Sequence, residues 1–297
     1  MQPDPLITAV LVGVAVFGLG HVLAWWWLER GRSPPSDGRR PRPWDLAIGF
    51  VANFFDTLGV GSFATTTAVY RLKRLVPDEF IPGTLNVGHA LPTTAQALIF
   101  IAAVVVDPGT LLWMTFAAVV GAIAGAGVVS GLPRRAVQLG MGIALFVAAG
   151  LFLLTIFGLV PGGGTATALQ GWRFWVGIGG NFVLGALMTL GIGLYGPCLI
   201  LVSLLGMNPI AAFPIMMGSC AFLMPAGSLP FIKRGRYDAR AAIGLAIGGI
   251  PAVVIAAYVV KSLPLDWLRW LVVVVVVYAA TGLLRSALAR TDDRPVF

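Results

Sequence analysis

Asp56 is the only one of twelve acidic residues to stand well inside an apolar segment, in the run Asn53-Phe-Phe-Asp56-Thr-Leu-Gly59-Val-Gly61. A carboxylate at that depth is costly as an anion and is a functional candidate by default, because taking up a proton removes the charge. His89, in Asn86-Val-Gly-His89-Ala-Leu-Pro92, is the second titratable candidate for moving that proton. Close by lie hydroxyl donors at Ser62, Thr65 and Thr66, and the carboxamides of Asn53 and Asn86. A second constellation follows the same plan at Asn181, Gly191, Gly193, Tyr195 and Cys198, with Ser219 further on. No Lys or Arg lies deep in any apolar run. An anion held at that depth would therefore rest on backbone N–H groups and hydroxyls, which the start of a helix supplies together with the positive end of its dipole. Each residue also has a plain structural reading: Asp56 as a helix cap, His89 as an interhelical bond, and the hydroxyls as bonds to their own preceding turn.

The elements that must position these groups are set by composition. Hydrophobic residue types make up 58% of 297 residues and charged types 11%, against roughly 45–50% and 25% in soluble domains. Apolar stretches of spanning length recur from Leu6 to Ala289, which predicts an all-α polytopic membrane protein. The amino-terminal stretch reads as a retained anchor helix, with His21 among Trp25, Trp26 and Trp27 as an interfacial anchor. The net charge of +8 resides in short loops between apolar runs. Membrane topology accounts for it, so membrane lipid is expected as a partner and nucleic acid is not. Cys198 and Cys220 both sit in apolar segments without metal-type spacing, which supports neither a disulfide framework nor a structural zinc site.

The chain repeats itself. Thr57-Leu-Gly59-Val-Gly61 matches Thr189-Leu-Gly191-Ile-Gly193 at an offset of 132 residues. Asp107 matches Asp238 and Leu132-Pro133 matches Leu263-Pro264, both at 131, while Gly88 matches Gly218 at 130. The expected organisation is an N-terminal transmembrane helix and basic loop (1–44), a first repeat (45–160), a linker (161–173), a second repeat (174–289) and a tail (290–297). Each repeat holds a glycine-broken helix followed by three transmembrane helices.

Loop charge favours re-entrant broken segments. One face then collects Arg30, Arg32, Arg71, Lys73, Arg74, Arg134, Arg135, Lys233, Arg234 and Arg236 among others, and the opposite face keeps Arg173, Lys261 and Arg269. Three full crossings per half make the repeats inverted, with the amino terminus outside and the carboxyl terminus cytoplasmic. Glycine breaks at matching places in two halves are the expected pointer to a binding site, since unwound backbone is tolerated at membrane depth only where protein or water covers it.

The paired breaks, the Pro-containing helix after each, and the turn Gly235-Arg-Tyr-Asp238 resemble the TauE/SafE family of sulfite and organosulfonate exporters. The likeness spans Asp45 to about Ala289. The first break departs from the family pattern, Gly61 leading into Ser62-Phe-Ala-Thr where a proline is usual. The resemblance implies secondary transport of a small sulfur-containing anion across a bacterial inner membrane, and the two titratable groups suggest proton coupling. The residues leave an alternative open, a cation or metal transporter or channel using Asp56, His89, Cys198, Cys220 and Met217. An enzyme is not expected: there is no nucleophile–base pair, HExxH or nucleotide loop. No cofactor is called for, and homo-oligomerisation stays open.

Overall fold

The structure, a computed structural model, describes residues 4–32, 38, 40–128, 134–159, 164–188 and 193–289. Among them the chain is helical throughout, with eleven α-helices in the order α1 (Pro5–Arg30), α2 (Pro43–Thr57), α3 (Ser62–Lys73), α4 (Ile81–Ala103), α5 (Pro108–Val128), α6 (Arg134–Ile156), α7 (Trp172–Met188), α8 (Tyr195–Leu204), α9 (Ala212–Arg234), α10 (Ala239–Ser262) and α11 (Leu265–Ala289). A 3₁₀ turn, Pro209–Ala211, leads into α9.

Among the described residues five stretches are long and apolar enough to cross a bilayer: Pro5–Arg30, Pro108–Gly125, Pro209–Arg234, Ala239–Ser262 and Asp266–Ala289. The chain is accordingly consistent with a multi-pass membrane protein. Large apolar side chains lie bare on these helices, among them Val16 (64% exposed), Ile123 (73%) and Val274 (62%). α4 has 23 residues but is not among the five. It carries buried Thr84, His89, Thr93, Thr94 and Gln96, so it is polar on its protein-facing side.

Two compact units emerge, each built from two separate stretches of the sequence. Unit 1 comprises Met1–Ala103 with Cys220–Lys261, and unit 2 comprises Val104–Ser219 with Ser262–Phe297.

In unit 1, α2 lies against α10 with almost no side chain between them. A Cβ at Gly49 would fall 2.7 Å from Leu245 Cα, and one at Gly249 would fall 2.6 Å from Pro92 Cγ and 2.8 Å from Asn53 Cγ. Small residues at helix contacts are how membrane bundles gain close van der Waals packing without a hydrophobic driving force. α1 packs on α4, and at its end Trp25 Nε1 donates to Tyr237 Oη (2.9 Å), whose hydroxyl donates to Glu29 Oε1 (2.7 Å). Asp45, wholly buried, accepts from Arg42 Nε at 2.8 Å and from its Nη2 at 3.1 Å.

His21 corrects its sequence reading. It is 4% exposed and its Nδ1 pairs with Ser228 Oγ at 3.1 Å, while Trp26 and Trp27 are the exposed aromatics, with Arg30 over both rings. The difference is rotational: His21 and Trp25 are four residues apart and share the inner helix face, and Trp26 and Trp27 turn outward.

In unit 2 the corresponding tight pair is α5 with α7. A Cβ at Gly185 would fall 2.8 Å from Ala118 Cα, and Asn181 Nδ2 donates to Met114 O at 2.7 Å. α6 packs along α11. The two units use the same capping device as well. Asp107 Oδ2 accepts the Thr110 N–H (2.7 Å) at the start of α5, and Asp238 Oδ1 accepts the Ala241 N–H (2.9 Å) at the start of α10. An acidic residue bonding three positions ahead satisfies one of the orphan donors of a helix start. The matched pair Leu132-Pro133 lies outside the described residues.

Candidate functional site at the first helix break

α2 stops at Thr57 because two glycines then take positive φ, Gly59 at +96° and Gly61 at +89°, a region that costs a residue with a Cβ. The chain closes the turn through Gly59 N–H to Asp56 O (2.8 Å) and Val60 N–H to Phe55 O (3.1 Å). α3 then restarts at Ser62 with Gly61 in the N-cap position, where no side chain is present to cap it. Asp56 does so from the preceding helix: its Oδ1 accepts the Ser62 N–H at 2.6 Å. A carboxylate at a helix start is favoured by both the free N–H and the dipole.

The other carboxylate oxygen is held from α4. Gln96 Nε2 donates to Asp56 Oδ2 (2.9 Å) and to Thr57 Oγ1 (2.9 Å), and the Thr57 hydroxyl donates to Asn53 O (2.7 Å). One turn earlier on α2, Asn53 Nδ2 donates to Gly49 O (2.7 Å), which fixes the amide so that Oδ1 faces His89 Nδ1 at 3.0 Å. Because Asn53 Oδ1 can only accept, His89 Nδ1 carries the proton. His89 Nε2 pairs with Thr66 Oγ1 of α3 at 3.2 Å. That hydroxyl can donate to a neutral ring or accept from a protonated one, so this contact survives either state. Asn53, Asp56, Thr57, Thr66, His89 and Gln96 are all at most 4% exposed.

The geometry joins α2, α3 and α4 through one polar network with a carboxyl at one end and an imidazole at the other. Asn53, Asp56, Ser62, Thr66 and His89, singled out from the sequence, belong to it. Thr65 and Asn86 do not: Thr65 Oγ1 donates to Ser62 O (2.9 Å) in its own helix, and Asn86 Nδ2 donates to Pro82 O (2.9 Å). Gln96 and Thr57 were missed as site residues. Their signal was spacing, for Asn53, Asp56 and Thr57 stand at i, i+3 and i+4, and Gln96 lies seven residues from His89, each set on one helix face.

The second break is neutral. Asn181 Nδ2 reaches Ser219 Oγ at 3.3 Å in addition to Met114 O, and Ser219 Oγ donates to Ile215 O (2.7 Å). Asn181 Oδ1 and Thr115 Oγ1 are buried without a partner among the described residues. Tyr195 and Cys198 fill the first turn of α8 and are buried. Gly193 precedes that turn, and Gly191 lies outside the described residues. Among the described residues no three His, Cys, Asp or Glu side chains gather as a metal-holding group, and both cysteines are buried. No family model, curated protein or solved structure matches the chain.

Proposed function

We propose that the chain is a proton-coupled secondary transporter, an exporter of a small sulfur-containing anion such as sulfite or an organosulfonate across a bacterial inner membrane, of the TauE/SafE kind. The observation that carries this reading is the buried Asp56 carboxylate seated on the Ser62 N–H at the glycine break. The protein's own anion occupies a place where a substrate anion would be bound by backbone N–H groups and the helix dipole. Two anions do not share such a place at low dielectric, so a substrate takes it when Asp56 is neutral. Proton uptake and anion binding are thereby linked, and Gln96 keeps the neutral carboxyl in position. The anion class rests on this chemistry; sulfur rests on the family resemblance.

The duplicated, inverted architecture is part of the same reading. Three pairs of helix starts recur 131 residues apart: Ile81 and Ala212, Pro108 and Ala239, Arg134 and Leu265. The contact Leu245 with Gly49 maps at offsets of 131 and 132 onto Met114 with Asn181, and Gly249 with Asn53 maps onto Ala118 with Gly185. α2 has 15 residues and α3 has 12. At 1.5 Å per residue each is shorter than the roughly 30 Å hydrocarbon core, which suits a segment that enters and returns. Cysteines introduced at Lys73 and at Arg134 should both be shielded from an impermeant label added outside. Labelling at both would sink the inverted topology.

The direct test is binding of ethanesulfonate, whose charge is constant across the range, to protein in nanodiscs between pH 5 and 8. Affinity should rise as pH falls, because the binding form has Asp56 protonated, and Asp56→Asn should flatten the profile and uncouple flux from a pH gradient. Affinity that rises with pH, or an unchanged profile in Asp56→Asn, overturns the reading.

A further inference from the structure

Unit 2 carries a polar cleft, remote in sequence from Asp56, of about 490 Å³ and lined by Thr167, Gln170, Trp172, Arg173 and Leu205 among others. The loop that forms it is pinned at three points. Ala166 O accepts the Asn208 N–H (2.8 Å), Thr167 O accepts the Asp107 N–H (2.9 Å), and the Leu169 N–H donates to Thr110 Oγ1 (3.2 Å). Leu169 itself is 5% exposed, so its burial holds the loop down while Thr167 and Gln170 stay exposed. The cleft is thus a built feature of the fold.

Arg173 supplies its charge. Among the described residues no carboxylate pairs with this guanidinium, and Asp107, whose N–H ties down the loop, has its Oδ2 engaged by the Thr110 N–H and hydroxyl at 2.7 and 2.9 Å. The guanidinium lies beside the Trp172 ring, 5.7 Å from its centroid. Across the cleft Gly206, at φ +91°, leaves it room: a Cβ there would stand 3.1 Å from Nη1. A planar fork of donors, a hydroxyl and a carboxamide beside an indole face match a small organic oxyanion. The fork and the two polar side chains meet its oxygens, and the ring covers its carbon end.

We infer that this cleft is a second anion site, which binds small sulfonates or carboxylates through Arg173 independently of the Asp56 network. The test uses Ala168→Cys, a cleft position, in the otherwise native chain, whose own cysteines are buried. An anionic methanethiosulfonate reagent should modify Cys at 168 about tenfold faster than a cationic one of similar size, since a localised charge steers approach. Ethanesulfonate at millimolar concentration should slow the anionic reagent. Adding Arg173→Gln should abolish both the charge preference and the protection, whereas adding Asp56→Asn should leave both intact. Charge preference without ethanesulfonate protection, or protection that persists in Arg173→Gln, overturns the inference. Loss of pH-dependent ethanesulfonate binding in Asp56→Asn with the cleft unaffected would leave the two sites separately established.

Discussion

The ends of α2 and α7, after which the two helix breaks begin, differ in the chemistry they carry. In unit 1 the last turn of α2 presents Asp56, which caps α3 and is held by Gln96. At the corresponding place in unit 2, 132 residues on, stands Met188. Likewise the broken helix of unit 1 bonds through Asn53 to a titratable His89 on the helix that follows, whereas Asn181 of unit 2 bonds to the hydroxyl of Ser219. Close helix contacts through glycine occur in both units, while the buried carboxyl and imidazole network stands in unit 1. Packing is a property of backbone spacing, which each unit needs. A buried charge is costly, so it appears only where it has partners.

The strongest way to break this contrast is to give unit 2 the charge of unit 1. Met188 is half-buried at the end of α7, and among the described residues no carboxamide corresponding to Gln96 is placed for Met188→Asp, so the new charge should cost part of the roughly 3–5 kcal/mol of a fully buried unpaired one. Unfolding in mixed detergent should show a large loss of stability, relieved at low pH where the carboxyl is neutral. A variant as stable as the parent at neutral pH would mean that unit 2 already holds a partner. Next in size are Gly49→Ala and Gly185→Ala, each of which drives a methyl into a facing helix backbone. Both should cost about 1–3 kcal/mol, as overpacking does. Similar losses support a common register, and a marked inequality breaks it.

Gln96→Leu sharpens the comparison further. It leaves an Asp56 oxygen and the Thr57 hydroxyl without their α4 donor and should cost about 1–3 kcal/mol. It should also shift the pH profile of ethanesulfonate binding, an effect that packing loss alone would not produce. The smallest effect is expected for Ser219→Ala, since Asn181 keeps its shorter bond to Met114 O. Interhelical bonds in membranes average about 0.6 kcal/mol, and a loss well above that would show the neutral network to be as demanding as the charged one.

Much of the helix order was readable from the chain alone, because a spanning helix is specified by length and composition. The apolar stretches of spanning length that recur as far as Ala289 include α10, Ala239–Ser262, and α11, Leu265–Ala289. Asp56 and His89 were legible for the opposite reason, as costly groups that stand out against an apolar background. Gln96 was harder to find. It is uncharged, one polar residue among several on α4, and its role appears only once α4 is laid beside the end of α2.

The amino-acid sequence by itself determined that the chain is helical and apolar, where its first glycine break falls and which ionisable groups lie near it, since each follows from local composition and spacing. Only the tertiary structure decided that Asp56 caps α3, that Asn53 orients His89, that Thr65 and Asn86 bond within their own helices and that His21 turns inward. A hydrogen bond between side chains 23 to 40 residues apart in sequence depends on helix rotation and approach. Those are fixed by how glycines let one helix settle on another, and no local pattern encodes them.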